Sequence, residues 1–308
     1  MTKKHHSAFS LIELSIVILV IGLLIAGMTQ SSRLIYGFKL RTGQTLTQSS
    51  GVNSIAGITT WLETTADKNI TSSTNGDEPN DGDKVSLWRD SNPQTNPRVD
   101  LAQSTDGSRP TYVAGGIGGI PSLNFDGSND FLTNSTTLPI AAGDDSYTIV
   151  AVWKYDSSAS SVARMVVSQG GDVTDSHRLG SIQIKADNYA GFYGNDNNFY
   201  LSSTISKGTP YITIFKVNND ISNNISIFRN SNTAVVGTTG GGGDLGAGTY
   251  SDLNIMTSQF VIGAHSVSNT MPFAGLISEI IVFDRALRYS EITDINSYLS
   301  KKYNIVLN

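Results

Sequence analysis

The sequence predicts a mainly β protein. A long apolar helix comes first, then an antiparallel jelly-roll β-sandwich with a short helix at its carboxy end. Three observations carry this. Residues 9–28, FSLIELSIVILVIGLLIAGM, are apolar or small apart from one carboxylate, Glu13. From Ile55 onward, short β-rich segments alternate with clusters of Gly, Asn, Asp and Ser. No long helical pattern separates those segments, which argues against a parallel βαβ sheet and for two packed antiparallel sheets.

The apolar run is long enough to cross a bilayer: at about 1.5 Å per residue, twenty helical residues span roughly 30 Å. A charge inside such a segment is costly and marks function. Met1 to Ala8 precede the run and carry Lys3 and Lys4, which keep that end cytoplasmic. An ordinary secretory signal is cut after its apolar stretch. Here the small residue, Ala8, stands before it, so cleavage there leaves the helix in the mature chain. Leu34, Ile35, Phe38 and Leu46 continue an amphipathic spacing, although Gly37 and Gly43 each cost a helix about 1 kcal/mol relative to Ala. Residues 45–54 read as a linker.

This leader, Phe9 and Glu13 together resemble the amino terminus of type IV prepilins and pseudopilins. The resemblance implies that a prepilin peptidase cuts between Ala8 and Phe9 and that the new amino group is methylated. Glu13 becomes the fifth mature residue and sets the axial register against the amino group of a neighbouring subunit. Gly is usual before the cut in that family; Ala8 stands there in this chain. The implied partners are the peptidase, other pilin or pseudopilin subunits and the inner membrane before assembly. The implied destination is a periplasmic or extracellular filament. The divisions expected are a leader over 1–8, a helix over 9–50 and a sandwich over 55–308.

Composition narrows the function classes. The chain has 308 residues and a formal charge of −5. Loss of Lys3 and Lys4 makes that −7, against the basic surface that nucleic-acid binding needs. There is no cysteine, so no disulfide supports the exported part. Five of the 26 acidic residues are glutamates; the aspartate excess fits a chain with many turns.

Strands are expected at 147–154, 163–168, 181–185, 211–217, 225–229, 259–263 and 275–283, where residues alternate or run apolar. A helix is expected from an N-cap at Ser290, with Glu291 in its first turn, Ile292, Ile295 and Leu299 on one face, and Lys301 and Lys302 at its end. Residues 55–71, 83–91, 109–113 and 119–132 resemble the opening of bacterial laminin-G-like domains of the concanavalin-A-like superfamily. Residues 273–305 resemble their closing strand and helix. The resemblance implies a jelly-roll module, often one that binds carbohydrate or protein.

Glucanases of this fold use closely spaced glutamates as acid and nucleophile or base. Glu13, Glu63, Glu78, Glu279 and Glu291 lie more than four residues apart, so that motif is absent and the chain reads as a non-enzyme. His177 and His265 show no metal-ligand spacing, and neither H-E-x-x-H nor G-x-S-x-G occurs. Gly241, Gly243 and Gly246 match a dinucleotide fingerprint, but no helix pattern follows. Two acidic loops are candidate calcium ligands: Asp77, Asp81 and Asp83, and Asp126, Asn129 and Asp130. Tyr193, Phe199 and Tyr200 flank a polar loop and are the candidate aromatic platform for a sugar. The expected role is a filament subunit, minor because its head is bulky, whose sandwich mediates adhesion to glycan or protein. The alternative is a pseudopilin of a type II secretion system without an external ligand.

Overall fold

The computed structural model describes residues 11–143, 145–171, 179–186, 188–194, 198–218, 224–238, 255–256 and 258–308. Helix α1 covers Leu11–Ser49. The strands then follow as β1 (Ile58–Glu63), β2 (Ile70–Ser72), β3 (Val85–Trp88), β4 (Leu101–Ala102), β5 (Thr111–Val113), β6 (Ser122–Asp126), β7 (Leu132–Asn134) and β8 (Tyr147–Tyr155). The chain continues through β9 (Arg164–Gly170), β10 (Leu179–Ile184), β11 (Tyr189–Phe192), β12 (Phe199–Thr204), β13 (Pro210–Asn218), β14 (Asn224–Arg229) and β15 (Val235–Thr238). It ends with β16 (Phe260–Ile262), β17 (Ala274–Phe283) and helix α2 (Tyr289–Tyr303).

Among the described residues these strands form two antiparallel sheets. One runs β15-β14-β13-β8-β17-β6-β5, with β1 pairing the carboxy half of β17; the other runs β12-β11-β10-β9-β16-β7-β4-β3-β2. This is the jelly-roll-like sandwich that the segment pattern predicts. All seven expected strands are present within a few residues of their expected bounds.

Two apolar layers hold the molecule together. The inner layer lies between the sheets and takes Ile149, Ala151 and Trp153 from β8 and Phe215 and Val217 from β13. The outer layer takes the intervening residues Val150, Val152, Ile212 and Ile214, and covers them with Ile292, Ile295 and Leu299 of α2. The central strands are therefore buried on both faces, and a strand wetted on neither face has no polar alternation to keep. This is why 147–154 reads as a nearly unbroken apolar run. Each such fully buried side chain contributes about 1.5–3 kcal/mol.

Helix α1 ends at Ser49, beside the end expected at 50, and takes up residues 45–49 of the stretch also read as a linker. Gly43 permits this: it is buried, and a Cβ there would meet Ile120 Cδ1 and Thr65 Cγ2 at 3.0 Å each. The low helix propensity of glycine is offset by close approach to the sandwich. Helix α2 is capped at Arg288, not at Ser290. The Glu291 carboxylate accepts the Arg288 amide at 2.8 Å and the Arg285 guanidinium at 2.7 and 2.9 Å, which anchors the first turn two residues earlier.

Candidate functional site

The described part of α1 has two characters. From Leu11 to Ile25 its apolar side chains are exposed on every side, Leu11 at 85% and Leu23 at 66%. A helix apolar all round requires a lipid or protein environment. From Tyr36 onward it meets the sandwich: Tyr36 lies beside Gly115, Lys39 beside Gly119, and Thr47 is buried. Glu13 sits in the first turn; Ala8 and Phe9 lie outside the described residues. Among the described residues no helix is long and apolar enough to cross a membrane, so the span stands on the sequence of 9–28.

Where α1 ends against the sandwich, a buried charged cluster joins four elements. Glu63 of β1 and Glu279 of β17 are register partners on adjacent strands. A register shift between Ile277 and Glu279 turns β17 over. Ile277 and Ile280 thus both face the inner core, while Glu279 and Ile281 face outward under α2. Lys302 of α2 reaches between the carboxylates, 2.8 Å from Glu279 Oε2 and 3.0 Å from Glu63 Oε2, and all three side chains are fully buried.

Each oxygen is satisfied. Glu279 Oε1 accepts Trp61 Nε1–H at 2.7 Å and the Tyr298 hydroxyl at 2.8 Å. Its Oε2 accepts Lys302 and the Tyr303 hydroxyl, both at 2.8 Å. Glu63 accepts the amides of Thr65 and Ala66 at 2.8 and 2.6 Å and the Asn69 side chain at 3.1 Å, together with the Thr65 hydroxyl. Tyr298 gives its one proton to Glu279, so the Thr47 hydroxyl of α1, 3.0 Å away, donates to Tyr298. Burial pushes the Glu63 carboxyl up, but Lys302 and the Thr65 hydrogen bonds outweigh it and hold it below its usual value. Burial would lower Lys302; the two carboxylates outweigh that and raise it. Burial, then the carboxylates, raise Tyr298 and Tyr303 well above the ordinary phenol value. Sequence spacing missed this constellation, because Glu63 and Lys302 are 239 residues apart.

The other candidates are distributed differently. Phe199 packs in the inner core and Tyr200 is 6% exposed, its ring over Gly191 and its hydroxyl bonded to Gln183. They do not form an open platform; of the three, only Tyr193 is partly exposed. In the first acidic loop, Asp77 accepts Thr71 and Arg89, Asp81 accepts the Ala114 amide, and Asp83 accepts Asn75 and Asn80. Asp77 borders a cleft of about 700 Å³ beside Leu40 of α1. In the second loop, Asp126 folds back on the Ser128 and Asn129 amides, and Asn129 reaches Ser108. Asp130 accepts the Asp126 amide through Oδ2, while its buried Oδ1 has no partner. Burial, with Asp126 nearby, raises Asp130 to about 6. Among the described residues no three His, Cys, Asp or Glu side chains converge as a metal site. His265 is buried, which lowers its pKa, and accepts the Val267 amide. His177 and Gly241 to Gly246 lie outside the described residues.

Comparison with known proteins supports both halves. The prokaryotic N-terminal methylation motif matches residues 3–29. No curated protein sequence matches the chain. Among solved structures, a GH54 α-L-arabinofuranosidase soaked with a cyclic sulfate inhibitor matches at a TM-score of 0.57 and 13% identity, over 80% of this chain and 63% of that one. A mutant GH54 α-L-arabinofuranosidase soaked with 4-nitrophenyl α-L-arabinofuranoside matches at 0.54 and 12%, over 80% and 62%. The binding domain of Paraclostridial Mosquitocidal Protein 1 matches at 0.52 and 13%, over 79% and 52%. The chain spans about three fifths of the arabinofuranosidase chains, and the likeness is one of fold.

These neighbours correct one expectation. The want of closely spaced glutamates predicts a non-enzyme. Glycosidases share this fold, and the structure pairs Glu63 with Glu279 on neighbouring strands that lie far apart in the chain, so spacing along the chain does not support that exclusion. The side chains of Glu63 and Glu279 are fully buried in the ion-pair cluster with Lys302. The chain thus joins the methylation segment of pilus and pseudopilus subunits, which implies a membrane-anchored precursor, a prepilin peptidase and assembly with like subunits, to a jelly-roll-like sandwich.

Proposed function

We propose that the protein is a subunit of a type IV pilus-like filament that carries a laminin-G-like sandwich to the cell exterior for adhesion to glycan or protein. The observation that carries the reading is the methylation motif at 3–29, which runs into a 39-residue helix whose first part presents apolar side chains broken by Glu13 and Ser15. Cleavage between Ala8 and Phe9 frees an amino group that pairs with Glu13 of a neighbour, because a carboxylate in an apolar bundle requires a positive partner. The clamped end of α1 holds the sandwich on the filament wall. The fold shared with the binding domain of Paraclostridial Mosquitocidal Protein 1 supports a binding role.

The test is the mass of the amino-terminal peptide in filaments sheared from the native cell. A methylated peptide beginning at Phe9 is expected in the sheared fraction. The same peptide confined to the cell envelope would favour a pseudopilin, and an uncut Met1 terminus would overturn assembly altogether.

A further inference from the structure

The Lys302 cluster has the parts of an amide-forming site. We propose that Lys302 Nζ and the side-chain carboxyl of Glu279 condense after folding into an intramolecular isopeptide bond, with Glu63 as the proton shuttle. The reacting groups are in contact, at 2.8 Å, in a fully buried pocket walled by Trp61, Tyr298 and Tyr303. Such contact converts a bimolecular condensation into a unimolecular one. All three side chains are fully buried, which limits the access of bulk water for the reverse hydrolysis, and the cleft of about 300 Å³ that Glu63 lines gives the released water an exit.

The chemistry balances without an added reagent. The cluster holds three protons on Lys302 and none on the two carboxylates in its ion-paired form. Moving one proton from Nζ to Glu279 gives a neutral amine beside a neutral acid, with Glu63 still charged. The amine lone pair attacks Cδ of Glu279, forming the N–C bond and a tetrahedral intermediate. Glu63, 3.0 Å from Nζ, takes a proton from the nitrogen and returns it to the departing hydroxyl. The C–O bond breaks, one water leaves, and the amide remains.

The hydrogen bonds assign the two carboxylates their parts. Glu63 is bonded by the amides of Thr65 and Ala66, which can only donate, so it stays an acceptor and serves as base. The partners of Glu279 Oε2 are Lys302 and the Tyr303 hydroxyl; a hydroxyl can turn and accept, so this oxygen can carry a proton and leave. Oε1 faces Trp61 Nε1–H and the Tyr298 hydroxyl at 2.7 and 2.8 Å, two donors placed where negative charge develops in the intermediate. The product ties α2 to β17, the strand that pairs with β1, β6 and β8, in a chain without cysteine.

Peptide mapping of the full-length protein tests this. Trypsin cannot cut after an acylated lysine, so the expected product is residues 302–308 joined to residues 230–285, lighter than the two together by one water. The Glu63→Gln variant is expected to give the separate linear peptides, as is Lys302→Arg. A linear Lys302 in the native protein overturns the proposal, and this measurement requires no variant to fold. Residues 302–308 joined instead to 42–68, which contains Glu63, overturns the assignment of Glu279 as acceptor. Full linkage in Glu63→Gln overturns the shuttle.

Discussion

Asp130 offers a direct link between one buried atom and the stability of the whole sandwich. Its side chain is 1% exposed, Oδ2 accepts the Asp126 amide, and Oδ1 has no partner. A carboxylate buried with one oxygen unpaired favours its neutral form, and burial raises this group from 3.8 to about 6. The nearby Asp126 adds to the rise, and Lys84 opposes it. The sign follows from proton counting. Below pH ~4 both folded and unfolded chains hold the proton and nothing is lost. Between about pH 4 and 6 the folded chain keeps it and the unfolded chain does not, so stability falls as pH rises. Above about 6 the full penalty is present, at roughly 1.4 kcal/mol per pK unit or about 3 kcal/mol as a ceiling. Asp130→Asn removes the titration while keeping an oxygen for the Asp126 amide. Urea unfolding of the full chain in detergent, followed by tryptophan fluorescence with EDTA present, should show the variant gaining about 2–3 kcal/mol on wild type between pH 4 and 7. Other carboxylates cancel in that difference. A variant-minus-wild-type difference flat across that range would refute the reasoning.

Three further substitutions probe how the helices are seated. Leu299→Ala empties a fully buried position under α2 and should cost about 2–5 kcal/mol in the same unfolding assay. Gly118 has φ +64°, and a Cβ there would strike the Tyr303 carbonyl; Gly118→Ala should therefore lower stability by more than about 1 kcal/mol. Thr47→Val removes the hydroxyl that α1 gives to Tyr298; it should cost about 0.5–1.5 kcal/mol, and hydrogen exchange should rise first in the last turn of α1.

The amino acid sequence by itself carries the N-terminal methylation motif over residues 3–29, because such a motif rests on residues close together in the chain. It also determined the central strands of the double-faced sheet, β8, β13, β14 and β17. Residues 147–154 and 275–283 are buried on both sides, so burial leaves a local apolar run that no neighbour is needed to interpret. The short strands β2 to β5 and β7 were not legible. With two to four residues each, they show no periodicity, and only their partners hold them extended. Helix α1 ends at Ser49, beside the end expected at 50, and Gly43, a poor helix former in isolation, is what lets its last turns approach Ile120 and Thr65. The burial of Phe199 and Tyr200 was not legible either, because an aromatic beside polar loop residues looks the same in sequence whether it faces solvent or the core. Tertiary structure alone decided the Glu63–Lys302–Glu279 cluster. A single register shift in β17 chooses the face on which Glu279 lies, β1 brings Glu63 opposite it, and α2 lowers Lys302 between them. No one segment encodes that meeting, because the energy that enforces it is the burial of α2 on the sheet.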